Sequence, residues 1–328
     1  MVSVTLALAG DTMLGRLVAE RIDEVGPTGL IAPAVVERMR AADLCILNLE
    51  CCISERGEPW PDPGKPFFFR APPAAVETLI HLGVDAVTLA NNHALDFGAD
   101  ALLDTLDLLE EADIAIVGAG RDRAAARRPA LLTAGDVTMA VVGVTDHPAD
   151  YAATPDRPGV AYADLRREVP TWLTGTVSAL DGRADLTLVT PHWGPNMTAV
   201  PVAHVPRAAT TLLAAGADLI AGHSAHVFHG VRFLDEPPRA VLYDLGDFID
   251  DYAVHPDRRN DLGLLWTVTL DADGIQAIDA LPLHLAFGAT GPATGEDRAW
   301  IVERLRSACS LYGTAVEDDG DMLRLRAS

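Results

Sequence analysis

The chain has 328 residues, 49% of them hydrophobic and 22% charged, with a formal net charge of −22. This composition is that of a globular protein with a large core. An acidic surface of this size excludes nucleic acid as a partner, because phosphate binding needs a basic footprint, and it disfavours anionic membrane surfaces.

The elements read in chain order as alternating strands and helices. Val2–Ala9 is an alternating, branched run that ends as a strand at Gly10. A helix is expected over Ala32–Ala42, then a strand over Leu44–Leu47. Pro72–Leu82 reads as a helix with prolines tolerated in its first turn. A strand follows over Val84–Leu89. Ala99–Ala112 is an amphipathic helix with Leu102, Leu103, Leu106 and Leu109 on one side, and Ile114–Val117 is a short strand. Leu131–Leu132 and Val137–Val144 are strands split by the turn Ala134-Gly135-Asp136. Later strands fall at Leu186–Thr190, Asp218–Ala221, Ala240–Tyr243 and Leu264–Leu270, with helices over Val205–Ala215 and Arg298–Ala308, the second terminal. Helices alternating with strands in the first half imply a layered α/β fold with parallel pairing. No linker divides the chain. One domain over 1–328 is expected, with a motif-bearing core over about 2–270 and a C-terminal extension of strand and helix over 271–328.

The four cysteines form no CxxC pair, so a structural zinc site is not expected and the pattern fits a reducing compartment. Val2 to Ala9 lacks the basic start and cleavage site of a signal peptide. No apolar run approaches the length of a membrane span. A cytoplasmic protein is the expectation.

Short polar clusters stand just after the apolar runs: Gly10-Asp11, Asn48-Leu49-Glu50, Asn91-Asn92-His93, His192-Trp193-Gly194, Gly222-His223-Ser224-Ala225-His226 and Gly246-Asp247. They supply the oxygen and nitrogen ligands that hold manganese, iron or zinc. Placed at the carboxyl ends of neighbouring strands, such ligands converge on one crevice. The pattern points to a metal-dependent hydrolase.

With these clusters laid out, the chain resembles the CapA family of poly-γ-glutamate capsule biosynthesis proteins, a branch of the calcineurin-like metallophosphoesterases. The matching segments are GDTMLGR (10–16), NLECCIS (48–54), KPFFFRAPP (65–73), LANNHALDFG (89–98), HWGP (192–195), GADLIAGHSAHVFHGV (216–231) and LYDLGDFIDDY (242–252). The resemblance implies a four-layer α/β/β/α sandwich with a centre of two divalent metal ions at the sheet edge. The departures are specific. Met13 stands where Asp-x-His proteins of the wider class have histidine, and the bridging carboxylate is Glu50 rather than aspartate. Ser224 follows His223 where many relatives have a second histidine, and Asp247 stands where asparagine is common. The extra carboxylates Asp247, Asp250 and Asp251 would compensate for the missing histidine.

In this scheme Asp11 and His226 hold the first metal, Glu50 bridges, and Asn92, His192 and His223 hold the second. Asp11 has an alternative use as the cap of a helix beginning near Leu14, and Asn91 or Asn92 as the cap of a helix after them. His93 is the expected general acid, oriented by Asp96. Asn48, one pleat before Glu50, supports the site from behind. Trp193 and Phe228 are candidates to wall the crevice, and Arg16, Lys65 and Arg70 to meet an anionic substrate group. Three functions fit: a hydrolase of a phosphoester or γ-glutamyl-type amide or peptide, a non-catalytic subunit working with a biosynthetic synthetase, or a metal-stabilised binder of acidic peptides.

Overall fold

The first strand explains the layering. In the computed structural model, which describes residues 3–236, 238–271 and 273–327, Val4–Thr12 is a strand whose side chains alternate between two cores. Leu6 and Leu8 enter one hydrophobic cluster, and Ala7 and Ala9 enter another. Successive strand side chains point to opposite faces, so a strand apolar at nearly every position must be covered on both sides. Leu44–Leu49 repeats the pattern, with Leu44 and Ile46 in the first cluster and Cys45 and Leu47 in the second.

Two large sheets are present among the described residues. One has the spatial order Thr314–Asp319, Met322–Ala327, Gly274–Ala286, Leu262–Asp271, Val4–Thr12, Leu44–Leu49, Ala86–Thr88 and Ala115–Val117, with Asp247–Ile249 also paired to Val4–Thr12. From Val4–Thr12 to Ala115–Val117 the pairing is parallel. The other sheet runs Val231–Asp235, Pro238–Leu242, Leu219–Ala221, Leu186–His192, Val137–Thr145 and Ala130–Ala134. Its four middle strands are parallel.

The sheets meet face to face through a middle core that joins Leu6, Leu8 and Ile46 to Met139, Val141 and Leu188. Helices Arg16–Val25, Pro33–Arg40, Ala75–Leu82 and Gly98–Glu111 cover the outside of the first sheet. Thr171–Ser178 and His204–Ala214 cover the second, where Leu173, Val205 and Leu212 meet Val142, Val189 and Ile220. The result is the α/β/β/α sandwich implied by the resemblance. No helix of the described residues is long and apolar enough to cross a membrane.

Two sequence expectations need correction. In Gly98–Glu111 the fully buried face includes Thr105, while Leu103 packs half-buried at its margin. The Thr105 hydroxyl donates to the Ala101 carbonyl at 2.7 Å and accepts from Ile53 N–H at 2.8 Å, so a hydroxyl is satisfied there. The helix at Gly295–Ser310 is not terminal. The strands Thr314–Asp319 and Met322–Ala327 follow it, and the second adds to the first sheet alongside Gly274–Ala286. Only Leu323 and Leu325 of that last strand reach the middle core, too short an alternation to announce a strand by itself.

Parallel strands end at a common edge. Thr12, Leu49 and Thr88 end theirs in one sheet, and His192, Ala221 and Leu242 in the other. The polar clusters are the loops that leave these ends.

Candidate metal centre

Gly10 makes the first junction. A Cβ there would lie 1.8 Å from the Gly246 carbonyl oxygen, so only glycine lets the two segments touch. Asp11 N–H donates to that carbonyl at 2.9 Å. The parallel register then sets Asp11 beside Asp247 on one side and beside Asn48 on the other. Asn48 donates from Nδ2 to Asp11 Oδ1 at 2.7 Å, and Asn91 donates to Asn48 Oδ1 at 2.9 Å and to the Leu49 carbonyl at 2.8 Å. This relay turns Asp11 into the crevice. The helix after Asp11 begins at Arg16 with Gly15 as its cap residue, and the helix after Asn92 begins only at Gly98. Neither Asp11 nor the asparagines cap a helix.

The second sheet supplies the histidines. His192 and His223 lie side by side across a parallel bridge, and His223 Nδ1 is 3.1 Å from Asp11 Oδ1. His226 Nδ1 is 2.8 Å from Asp247 Oδ1, 3.4 Å from Asp11 Oδ2 and 3.9 Å from Glu50 Oε2. Donor atoms of Asp11, Glu50, His226 and Asp247 all lie within 4.8 Å of one another. The turn holding the histidines is strained: Ser224 has φ 108° and His226 φ 57°, in a region that non-glycine residues occupy at a cost of about 1–3 kcal/mol. Asp244 pins the turn, accepting from Ala225 N–H at 2.8 Å and Gly246 N–H at 2.9 Å.

The crevice carries buried charge without matching partners. Both carboxylate oxygens of Glu50, Oδ1 of Asn92, Nδ1 of His192 and Oδ2 of Asp247 are shielded from solvent and make no hydrogen bond. Burial, then the charge of Asp11, raises Glu50 well above the usual carboxylate range. Burial, then Asp250, does the same to Asp247, and burial lifts Asp250 to about 6. Burial also works upward on Asp11, but the hydrogen bond to His223 and the charges of His223 and His226 outweigh it and hold Asp11 low. Buried polar groups are normally satisfied, and cations are what oxygen and imidazole donors of this kind take up. The donor set therefore fits a metal centre. Asp250 stands one step back, accepting from Tyr252 N–H at 2.7 Å.

Beside the centre, His93 Nε2 lies 3.9 Å from Glu50 Oε1, and its Nδ1 is 2.6 Å from Asp96 Oδ2. Asp96 is also held by Phe69 N–H at 2.6 Å, the Tyr151 hydroxyl at 3.0 Å and Lys65 Nζ at 2.9 Å. Burial pushes the His93 imidazole down to about 4, against the pull of Asp96.

Four expected roles change. Lys65 is not free for substrate, because its ammonium pairs with Asp96 and donates to the Asn92 carbonyl at 2.9 Å. Arg70 donates to the Arg56 carbonyl at 3.2 Å and stacks over the Phe97 ring at 4.1 Å. Trp193 does not wall the crevice. His192 faces the site, so the next residue on the chain faces away, and the indole is buried in the outer core, donating to the Tyr243 carbonyl at 2.9 Å. Phe228 lies in the middle core. Of the basic candidates Arg16 keeps an open face: its guanidinium is 3.2 Å from Asp251 and over Phe67 and Phe69, with a third of the side chain exposed. Met13 is fully buried in the core, accepting Gly15 N–H on its sulfur at 3.1 Å, and offers the centre nothing.

Sequence reasoning missed Asp244 and Tyr252. Asp244 had one signal, its place two residues before Gly246. Tyr252 had only its place at the end of the last matching segment.

Comparison with known proteins agrees with this architecture. A solved phosphatase from Mycoplasma pneumoniae superposes with a TM-score of 0.54 at 14% identity, over 87% of this chain and 94% of that one, so the calcineurin-like phosphatase fold is shared. A protein of Mycobacterium tuberculosis named as a probable polyglutamine synthesis accessory protein is 33% identical, over 98% of this chain and 95% of the relative. The capsule biosynthesis protein CapA of Bacillus anthracis is 29% identical over 89% of this chain and 70% of its own length. The model of the bacterial capsule synthesis protein family PGA_cap matches residues 5–252, and the chain belongs to that family.

Proposed function

We propose that the protein is a hydrolase with two divalent cations, manganese, iron or zinc, acting on a phosphoester or a γ-glutamyl-type amide in polyglutamate or related biosynthesis. In this reading Asp11, His226 and Asp247 hold one cation, Asn92, His192 and His223 hold the other, and Glu50 reaches both. One observation carries the reading: both Glu50 oxygens, Asn92 Oδ1, His192 Nδ1 and Asp247 Oδ2 are buried and unpartnered, on segments at the strand ends of the two facing sheets. Bound there, such cations supply Lewis-acid polarisation and a water of lowered pKa.

The chain's own residues do the rest. Asp96 fixes the ring of His93 through Nδ1, which leaves Nε2 as the atom that exchanges a proton with the leaving group. Because burial keeps the imidazole neutral at rest, the proton arrives with an anionic substrate, whose charge favours the imidazolium. Arg16, steadied by Asp251 and Phe67, meets a second anionic group. Asp247 takes the place left by Met13. The test is metal analysis after gentle purification, then turnover of a panel of phosphoesters and γ-glutamyl peptides with added manganese. Bound metal, with turnover lost in His93→Ala at unchanged fold, supports the reading. A metal-free protein inert to the whole panel rejects it.

A second reading has its own support. Met13, just after the first strand, supplies no nitrogen donor and its sulfur is turned to Gly15 N–H, and one relative is named an accessory protein. The chain would then serve a membrane synthetase without turning over substrate itself. Recovery of a synthetase by the tagged protein, with no hydrolysis of any panel member, would favour it.

A further inference from the structure

Tyr252 is a buried polar group beside the centre that the metal-centre reading leaves unused. Its ring stands edge-on to His226, centroids 5.1 Å apart at 80°, and stacks on Phe69 at 5.6 Å. Phe69 in turn stacks on His93 at 3.8 Å. The ring therefore bridges the His226 side of the centre and the His93 side. Its backbone N–H is tied to Asp250, which fixes where the side chain begins. Its hydroxyl is shielded from solvent and has no hydrogen-bond partner. Burial, then the nearby Glu50 carboxylate, holds its phenol well above the ordinary range.

A buried hydroxyl without a partner costs about 1–3 kcal/mol. Phenylalanine would supply the same ring contacts without that cost. A hydroxyl kept in this position earns its place only if something enters the crevice and accepts its hydrogen bond. The hydroxyl makes no hydrogen bond to any of the surrounding carboxylates, the free Oδ2 of Asp250 included, so its acceptor has to come with a ligand that enters the crevice. An ordinary phenol keeps its proton at neutral pH, which makes it a donor to an anion.

We propose that the Tyr252 hydroxyl is a substrate-binding donor, aimed at a tetrahedral oxyanion such as a phosphoryl group seated between His226 and His93. The proposal rests on the metal-centre reading and adds a residue to it. Phe69 and Tyr252 together then form the aromatic side of the seat, and the hydroxyl supplies its polar point.

Inorganic phosphate is the probe, titrated calorimetrically into manganese-loaded protein, wild type against Tyr252→Phe. The expected result is unchanged manganese stoichiometry and phosphate affinity weaker by about tenfold, the worth of one hydrogen bond to an anion. The metal-free variant should melt at the wild-type temperature or above it, because an unsatisfied hydroxyl is gone. Equal phosphate affinity in the two proteins overturns the proposal, and so does wild-type protein that binds no phosphate. Altered manganese stoichiometry in the variant also overturns it, since the hydroxyl would then be serving the metal. Phosphoester turnover is scored separately. Wild type that binds phosphate through Tyr252 but hydrolyses no phosphoester and no γ-glutamyl peptide of the panel ends the hydrolase reading and leaves this inference standing. Wild type that hydrolyses as fast as the variant and binds phosphate equally does the reverse.

Discussion

Replacing Glu50 by glutamine should have opposite effects on stability with and without cations. Both Glu50 oxygens are buried and unpartnered, and Asp11 and Asp247 repel the charge. In chelator-treated protein at mildly alkaline pH, removing that charge relieves a penalty of about 1–3 kcal/mol. For a chain of this size roughly 2 °C of melting temperature accompanies each kcal/mol, so cation-free Glu50→Gln should melt a few degrees above cation-free wild type. A cation at a thousand times its Kd adds about 4.1 kcal/mol to the native state. Wild type should therefore rise by several degrees on adding manganese, and the variant, missing the carboxylate that reaches both positions, should rise much less. Differential scanning calorimetry with chelator and with excess manganese reads all four states. The reasoning fails if cation-free Glu50→Gln melts below wild type while keeping the full manganese shift, because Glu50 would then be a structural partner and no ligand.

Gly10→Ala should abolish manganese binding and destabilise the fold, since the new methyl would meet a backbone carbonyl at 1.8 Å and small-to-large changes in packed sites cost about 1–3 kcal/mol or more; isothermal titration and a melt check it. Asp96→Asn should lower turnover on whichever panel substrate is hydrolysed by about 10²–10⁴, with metal content retained on elemental analysis, because Asp96 orients His93 and touches no donor atom of the centre. His229 provides a pH prediction outside the centre. Burial pushes it down to about 4 against the Thr198 carbonyl it bonds at 2.8 Å, while an unfolded imidazole titrates near 6.5. Between those values the unfolded chain binds the extra proton, so stability present above pH 6.5 is lost as pH falls towards 4. His229→Gln should flatten part of that loss in urea melts between pH 7 and 4, and an unchanged slope would refute the assignment.

Much of the architecture could be read from local pattern. Leu6 and Leu8 against Ala7 and Ala9, and Leu44 and Ile46 against Cys45 and Leu47, announce strands covered on both faces, because side-chain direction in a strand depends only on position parity. The position of Asp11, Glu50, Asn92, His192 and His223 after apolar runs likewise places them at strand ends. The last hairpin, 314–327, stayed hidden because its burial depends on a partner strand far back in the chain. A strand was expected in this extension, but the bounds of the thirteen-residue strand Gly274–Ala286 stayed hidden, because Pro282 and His284 interrupt the apolar alternation.

The amino-acid order by itself determined which residues could reach the centre, since a ligand's place at the end of a strand is a local property. Which of them are spent elsewhere was decided only in three dimensions. Lys65 was drawn to Asp96, Trp193 was turned outward by the pairing that turns His192 inward, and Asp247 was brought against Asp11 by a close approach that needs Gly10. Each outcome is a competition among partners distant in sequence, and the winner is set by separation in space, which no local spacing of residues encodes.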